Sequence, residues 1–218
     1  MSAFPIQSGQ LFLLIGDSIT DCGRRVDKAP FGDGYMSLLR ELVIARHPER
    51  EIRWVNRGIG GNKVTDLRDR WEDDVLREKP DWLSIKIGIN DLNTYLNKSN
   101  NAVSPELFRK TYREILDRTT ASTKARLVLI DPFYLSTDHE SDSWRGQVLK
   151  LLPEYLKVVA EMAETYKTLR VRTQEIFEKQ MKHRAPNDFA PEPVHPYRLG
   201  HLIVAESLYQ TLCGSADS

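Results

Sequence analysis

The chain has 218 residues, of which 40% are hydrophobic, and its 31 lysines and arginines balance 31 aspartates and glutamates. This length fits one large domain with its own core, so we expect a single domain over residues 1–218. A formal net charge of zero argues against a nucleic acid or an anionic membrane surface as the main partner.

The N-terminus and the cysteines indicate the compartment. Residues 1–7 lack the basic start and apolar run of a signal peptide, and no stretch approaches the ~20 apolar residues of a membrane span. Cys22 and Cys213 are the only cysteines. Their separation predicts free thiols and offers no metal-binding spacing. We therefore expect a cytoplasmic protein without a metal.

The first predicted element is a buried strand, the apolar run at residues 11–15. It ends in Gly16, Asp17 and Ser18, which places Ser18 where the strand ends and the chain turns. In an open parallel sheet, reacting groups collect at that edge. Capping of the next helix is the alternative role for Asp17 or Ser18. The Gly-x-Ser-x-Gly signature is absent, because Thr20 stands where its second glycine would be.

Strands and helices alternate along the rest of the chain. Short apolar stretches predict further strands at residues 52–56, 82–88, 126–131 and 169–172. Amphipathic spacing predicts helices at residues 35–46, 65–78, 105–120, 144–166, 174–183 and 197–212. Pro153 predicts a kink or a break in the fourth of these. The alternation predicts an α/β fold, a three-layer α/β/α sandwich with a flavodoxin-like parallel sheet of about five strands in the order 2-1-3-4-5.

Polar and glycine-rich segments follow the first three strands, which this order makes neighbours. They are residues 17–18, 56–61 and 88–91. A serine that attacks an ester creates an oxyanion, which needs preset hydrogen-bond donors. The Gly61 N–H group and the Asn90 side-chain amide are candidates for this role. Ordinary tight turns, or a site for a flavin phosphate, are the alternatives for these segments.

A catalytic serine also needs a base, and His195 is the histidine with the most suitable surroundings. It lies in a proline-rich loop, residues 185–196, with Glu192 three residues earlier and Asp188 seven earlier. A carboxylate that orients one imidazole nitrogen leaves the other free to take the serine proton. We expect no catalytic role for the other histidines, which are His47, His139, His183 and His201.

Four motifs together resemble the blocks of the SGNH (GDSL) hydrolases. They are Gly16-Asp17-Ser18-Ile19, Asn56-x-Gly58-x-x-Gly61, Gly88-x-Asn90-Asp91 and Val194-His195-Pro196. The resemblance extends over about residues 10 to 212. It implies that Ser18 is the nucleophile and His195 the base. It also implies an oxyanion hole formed by the Ser18 and Gly61 N–H groups and the Asn90 side chain.

Within that family, the chain is most similar to bacterial acetylxylan esterases and related carbohydrate deacetylases. The similar stretches are residues 15–24, 62–68, 80–85 and 132–134. This resemblance implies a serine esterase for small acyl (acetyl) esters, with an acetylated oligosaccharide as substrate and no cofactor. Many relatives self-associate, so a homo-oligomer is possible. A lysophospholipase or thioesterase of the same family and a non-catalytic carbohydrate- or flavin-binding protein are the alternatives.

The chain departs from the family pattern at the acid of the triad. The family places an aspartate three residues before the histidine, and this chain has Glu192 there. Glutamate serves as the acid in other serine hydrolases, so we expect Glu192 to orient His195. Asp188 or a backbone carbonyl is the alternative. We expect Asp17 and Asp91 to support the loops at this edge of the sheet.

Overall fold

Five parallel strands pair into one sheet within residues 4–214, the part of the chain that the computed structural model describes. Their order across the sheet is 2-1-3-4-5, which confirms the predicted topology. In chain order the strands are β1 (Leu11–Gly16), β2 (Arg53–Gly58), β3 (Trp82–Lys86), β4 (Arg126–Ile130) and β5 (Leu169–Val171). Because all pairs are parallel, the carboxyl ends of the strands meet at one edge of the sheet.

Helices connect the strands and cover the sheet. In chain order they are α1 (Ser18–Asp21), α2 (Tyr35–Arg46), α3 (Val64–Asp69), α4 (Ile89–Leu96), α5 (Pro105–Ser122), α6 (Trp144–Thr165), α7 (Thr173–Met181) and α8 (Arg198–Gly214). A π-helical turn, Glu72–Leu76, follows α3, and a 3₁₀ turn, Pro186–Asp188, precedes α8. Within residues 4–214, no helix combines the length and the hydropathy that a membrane span requires.

Alternate side chains of the central strands enter two separate apolar cores. Leu13 and Ile15 of β1 pack on one face of the sheet, in a core that also contains residues of α3, α5 and α6. Phe12 and Leu14 pack on the other face, in a core with residues of α2, α7 and α8. A strand that is buried on both faces needs a continuous apolar run, as this sequence has. The two cores confirm the predicted three-layer sandwich.

Three helical segments differ from the sequence-based prediction. The helix predicted at residues 65–78 ends at Asp69 and continues as the π-helical turn. Leu67, Trp71 and Val75, which form the apolar face of that segment, stay buried, so their periodicity did not reveal the change. Helix α6 is continuous through Pro153, so of the two predicted alternatives the break is absent. Residues 89–91, expected only to close the third strand, begin α4.

The strand register brings three loop segments together at the carboxyl edge. Gly16, the last residue of β1, pairs with Gly58 of β2 on one side and with Lys86 of β3 on the other. The segments that follow these residues therefore leave the sheet at the same height. Ser18, Gly61 and Asn90 lie on these segments, and His195 and Glu192 lie on the loop that precedes α8.

Candidate active site

Ser18 is held in a tight turn between β1 and α1. The Asp17 side chain accepts a hydrogen bond from the Ile19 N–H group at 3.0 Å and so caps α1. The turn needs glycine at position 16, because a Cβ atom there would lie 2.3 Å from the carbonyl oxygen of Lys86. The close approach of β3 therefore fixes where Ser18 leaves the sheet.

His195 lies between Ser18 and Glu192. Its Nε2 atom is 2.9 Å from Ser18 Oγ, and its Nδ1 atom is 2.5 Å from Glu192 Oε1. Glu192 also accepts hydrogen bonds from the backbone N–H groups of His195, at 2.7 Å, and Val194, at 2.9 Å. The three side chains thus form one chain of hydrogen bonds.

The hydrogen bonds to Glu192 favour its charged form. Partial burial opposes ionisation, but the N–H groups of Val194 and His195 and the His195 ring outweigh it, so the pKa of Glu192 lies below its ordinary value. The carboxylate can therefore face the imidazole as an anion. Neither side chain is deeply buried: that of His195 is 58% exposed and that of Glu192 45% exposed.

The loop before α8 is fastened at several points. Leu135 N–H donates to the carbonyl oxygen of Pro193 at 2.8 Å, and Tyr197 N–H donates to that of Phe189 at 2.7 Å. Asp188, the alternative acid, lies in the 3₁₀ turn, and its carboxylate is 3.9 Å from the Arg184 guanidinium. The structure places Glu192 rather than Asp188 beside the His195 ring.

Gly61 and Asn90 lie on the two segments that flank the Ser18 turn. Gly61 adopts a φ of +79°, a conformation that favours glycine, and within the described residues its N–H group makes no hydrogen bond. Asn90 is in the first turn of α4, and its side-chain amide donates to the carbonyl oxygen of Asn62 at 3.1 Å. The amide carries a second hydrogen, which this bond leaves free.

Asn56 and Gly58, from the second motif, position the backbone around α1. The Asn56 amide donates to the carbonyl oxygens of Thr20 and Phe31, each at 2.7 Å. A Cβ atom on Gly58 would lie 2.2 Å from the backbone nitrogen of Asp21. The second motif therefore packs β2 directly against the short helix that begins with Ser18.

A buried ion pair lies beneath the Ser18 turn. Lys86 Nζ is 3.4 Å from Asp17 Oδ2, and both side chains are fully buried. Burial lowers the pKa of Lys86, while the Asp17 carboxylate acts in the opposite direction. The Lys86 ammonium also lies 4.9 Å from the centre of the Phe133 ring. Loss of one partner from such a pair typically costs about 3–5 kcal/mol, because the other charge stays buried.

Asp91 supports the segment that carries Gly61. Its Oδ1 atom accepts a hydrogen bond from the Val64 N–H group at 2.9 Å, at the start of α3. Its Oδ2 atom is buried and has no hydrogen-bond partner. Burial raises the pKa of Asp91 to about 7, although the Val64 N–H group opposes the shift. Both Asp17 and Asp91 thus bond backbone at this edge of the sheet.

A cavity of about 370 Å³ opens beside Ser18 and His195. Its other lining residues are Ile19, Cys22, Asp33, Pro196, Arg198 and His201. In its wall, Cys22 Sγ is 3.4 Å from His201 Nε2. Burial lowers the pKa of His201 to about 4 and raises the pKa of Cys22 to about 12, so both groups are neutral at ordinary pH.

The arrangement can activate a hydroxyl group. A histidine whose Nδ1 atom faces an anionic carboxylate presents Nε2 to the serine hydroxyl and can accept its proton. The Gly61 N–H group and the free Asn90 hydrogen lie on the segments beside that hydroxyl. Within residues 4–214, no group of three or more His, Cys, Asp or Glu residues is placed to hold a metal ion.

Several residues around Ser18 and His195 were not predicted from the sequence. Lys86 sits in an apolar strand, where only its alternation with Ile85 marks it as facing the other core. His201, for which the sequence predicts no catalytic role, is buried and also lines the cavity. Arg70 and the Asn62 side chain were not singled out either, although Arg70 Nε donates to Asn62 Oδ1 at 2.9 Å. Their contacts depend on how two loops meet, which periodicity does not report.

Comparison with known proteins identifies relatives over nearly the whole chain. A family model described as the GDSL-like lipase/acylhydrolase family matches residues 14–203. The chain is 38% identical to an acetylxylan esterase of Geobacillus stearothermophilus over 216 residues, 95% of each protein. A crystal structure of an acetylxylan esterase from that organism superposes with a TM-score of 0.86 at 36% identity, covering 95% of both chains.

Other solved structures have the same fold. An alpha/beta hydrolase enzyme from the metagenome of Lake Arreo, Spain, is 31% identical with a TM-score of 0.86, over 99% of this chain and 100% of that one. Three structures of the Geobacillus esterase are described as catalytic mutants, in which a serine, an aspartate or a histidine is replaced by alanine. That aspartate precedes the histidine by three residues, as Glu192 precedes His195 here.

The raised pKa of Asp91 predicts a pH-dependent stability. Its folded-state pKa of about 7 lies above the ordinary 3.8, so between these values the folded protein holds a proton that the unfolded chain has released. Stability from this group therefore falls as the pH rises through that window. From pH 5 to pH 8, we expect wild type to lose roughly 2–3 kcal/mol of unfolding free energy relative to Asp91→Asn. Urea unfolding of both proteins at the two pH values measures this, and parallel pH profiles would contradict it.

Proposed function

The chain belongs to the GDSL-like lipase/acylhydrolase family, and from that premise we propose that it removes acetyl groups from acetylated carbohydrate through a Ser18–His195–Glu192 triad. Family membership confirms the resemblance predicted from the four motifs and makes the protein a carboxylic ester hydrolase. The observation that carries the catalytic assignment is the continuous hydrogen-bonded chain from Ser18 Oγ through His195 to Glu192.

The first half of the reaction acylates Ser18. His195 Nε2 takes the proton of the Ser18 hydroxyl as Oγ attacks the ester carbonyl carbon. The negative charge on the carbonyl oxygen is received by the Ser18 and Gly61 N–H groups and the free Asn90 hydrogen. His195 then returns the proton to the departing sugar oxygen, and the acyl group remains on Ser18. Glu192 stabilises the imidazolium throughout.

The second half repeats these roles with water. His195 deprotonates a water molecule that attacks the acyl carbonyl, and the same three donors receive the oxyanion. Collapse of the tetrahedral intermediate releases the acid and returns the proton to Ser18. Because His195 and Glu192 are exposed at the rim, water reaches the acyl group without a separate channel.

Two observations support an acetylated carbohydrate as the substrate. The Geobacillus acetylxylan esterase shares over a third of its residues with this chain, and two structures of its mutants are described as those of an acetyl-xylooligosaccharide esterase. The cavity beside Ser18 is lined partly by Asp33 and Arg198, which suit hydroxyl groups better than a long acyl chain. The cytoplasmic location and the possible homo-oligomer stay predictions from the sequence.

Replacement of Ser18 tests the catalytic assignment. We expect Ser18→Ala to lose about 10⁴-fold or more in kcat for p-nitrophenyl acetate, because no other group supplies the nucleophile. Wild type should prefer acetate over the longer esters of the series up to octanoate, and should release acetate from acetylated xylo-oligosaccharides. Ser141→Ala, in an exposed loop, is the matched control and should retain wild-type activity.

Two results would contradict this account. Equal activity of wild type and Ser18→Ala would exclude Ser18 as the nucleophile. Activity that rises with acyl-chain length would leave the nucleophile in place but favour a lysophospholipase or thioesterase.

Replacement of Glu192 tests the unusual acid. Glu192→Gln keeps the size of the side chain but removes the charge and presents an N–H donor to His195 Nδ1, which favours the wrong tautomer. We expect a loss of about 10²- to 10⁴-fold in kcat with little change in KM. Glu192→Asp should retain more activity than Glu192→Gln. Asp188→Asn, which changes the acid paired with Arg184, should behave as wild type; a loss as large as that of Glu192→Gln would reassign the acid to Asp188.

A further inference from the structure

The direction of the Asn90 amide depends on one backbone carbonyl. One of its two N–H bonds donates to the Asn62 oxygen at 3.1 Å. Because the amide group is planar, the position of that oxygen also determines where the second N–H bond points. In the proposed mechanism this second bond receives the oxyanion. The alignment of the hole therefore depends on what holds Asn62.

Asn62 is held through its own side chain. Its N–H group closes a turn onto the carbonyl oxygen of Ile59 at 3.2 Å. Its Oδ1 atom accepts a hydrogen bond from Arg70 Nε at 2.9 Å. The preceding residues Gly58, Gly60 and Gly61 resist bending less than other residues would. The Asp21 carboxylate also holds this turn, because its Oδ2 atom accepts from the Gly60 N–H group at 3.0 Å. The Arg70 bond is the restraint on the Asn62 side chain itself.

Arg70 connects this turn to the strand that carries Ser18. It caps the C-terminus of α3, and its side chain is only 16% exposed. Its Nη1 atom pairs with Asp74, and its Nη2 atom lies 3.4 Å from the carbonyl oxygen of Gly16. One planar guanidinium thus contacts the end of β1, the Asn62 side chain and an anion that fixes its orientation. Arg70 makes these contacts from three separate nitrogens in one plane, whereas a lysine carries all its N–H donors on a single atom.

We propose that Arg70 is a positioning residue that sets the Asn90 amide for the oxyanion by holding Asn62. This inference rests on the proposed role of Asn90 in the oxyanion hole. Arg70 itself does not touch the substrate. Its effect is to keep the strand end that bears Ser18 and the carbonyl that orients Asn90 at a fixed separation. Errors of about 1 Å in such geometry cost up to 10²-fold in rate.

The chain offers a matched control for the ion pair alone. Arg77 pairs with Asp73 at the same i, i+4 spacing as Arg70 with Asp74. The Arg77 pair is exposed, at 71% and 68%, and makes no contact with the site. If Arg70 only stabilised the helical segment through its charge, Arg70→Met would change kcat no more than Arg77→Met does.

The test is a double-mutant cycle with p-nitrophenyl acetate as substrate. We expect Asn90→Ala to lower kcat about 10²- to 10³-fold, as loss of one oxyanion donor does. Arg70→Met should lower kcat roughly 10- to 100-fold with KM within about twofold of wild type. The double variant should lose no more than Asn90→Ala alone, because Arg70 acts only through that amide. Arg77→Met should match wild type.

Each other outcome overturns a stated claim. If the two losses multiply in the double variant, or if Arg70→Met is as active as Arg77→Met, Arg70 does not act through Asn90. If Asn90→Ala is fully active, Asn90 does not stabilise the oxyanion, and the inference about Arg70 fails with it. The Ser18→Ala variant tests the catalytic triad independently of that result. Should Arg70→Met not fold, Asn62→Ala replaces it in the same cycle, because it removes the link and leaves the Arg70–Asp74 pair.

Discussion

The parallel pairing of β1 between β2 and β3 is the constraint on which the site depends. It aligns Gly16 with Gly58 on one side and Lys86 on the other, so three chain segments leave the sheet together. The contacts are so close that side chains at positions 16 and 58 would collide with neighbouring backbone. A shift of one residue in this register would reverse the faces of β1 and separate Ser18 from both candidate oxyanion donors.

Burial determines which of the titratable side chains near Ser18 carry a charge. The Lys86–Asp17 pair places one cation and one anion under the Ser18 turn, while His201 is neutral because burial holds its pKa near 4. Asp91, with its pKa raised to about 7, is a buried group in this region that changes charge near neutral pH. The exposed Glu192–His195 pair contrasts with this interior. The position of Glu192 is fixed instead by the hydrogen bonds that its carboxylate accepts from the backbone N–H groups of Val194 and His195.

Local signals were enough to predict the sheet and the main groups of the site. The apolar run before Gly16, the alternating strands and helices, and the placement of polar motifs at strand ends led to the observed strand order and to Ser18 and His195 as neighbours. The choice of Glu192 over Asp188 came from the resemblance to the SGNH hydrolases. The π-helical turn was not predicted, because it keeps the same apolar positions buried. Lys86, Arg70 and Asn62 were also missed. Their roles come from contacts between loops and strand ends that are distant in sequence, and no spacing rule describes them.

The central claim is that Ser18 forms the covalent intermediate with the help of His195, and active-site labelling tests it most directly. Diethyl p-nitrophenyl phosphate transfers its phosphoryl group to an activated serine, releases p-nitrophenol, and leaves an adduct that hydrolyses slowly. The account predicts one phosphoryl group per chain, located on Ser18 by peptide mass mapping, and much slower labelling of His195→Ala. An unlabelled wild-type protein, or a label on another residue, would contradict it.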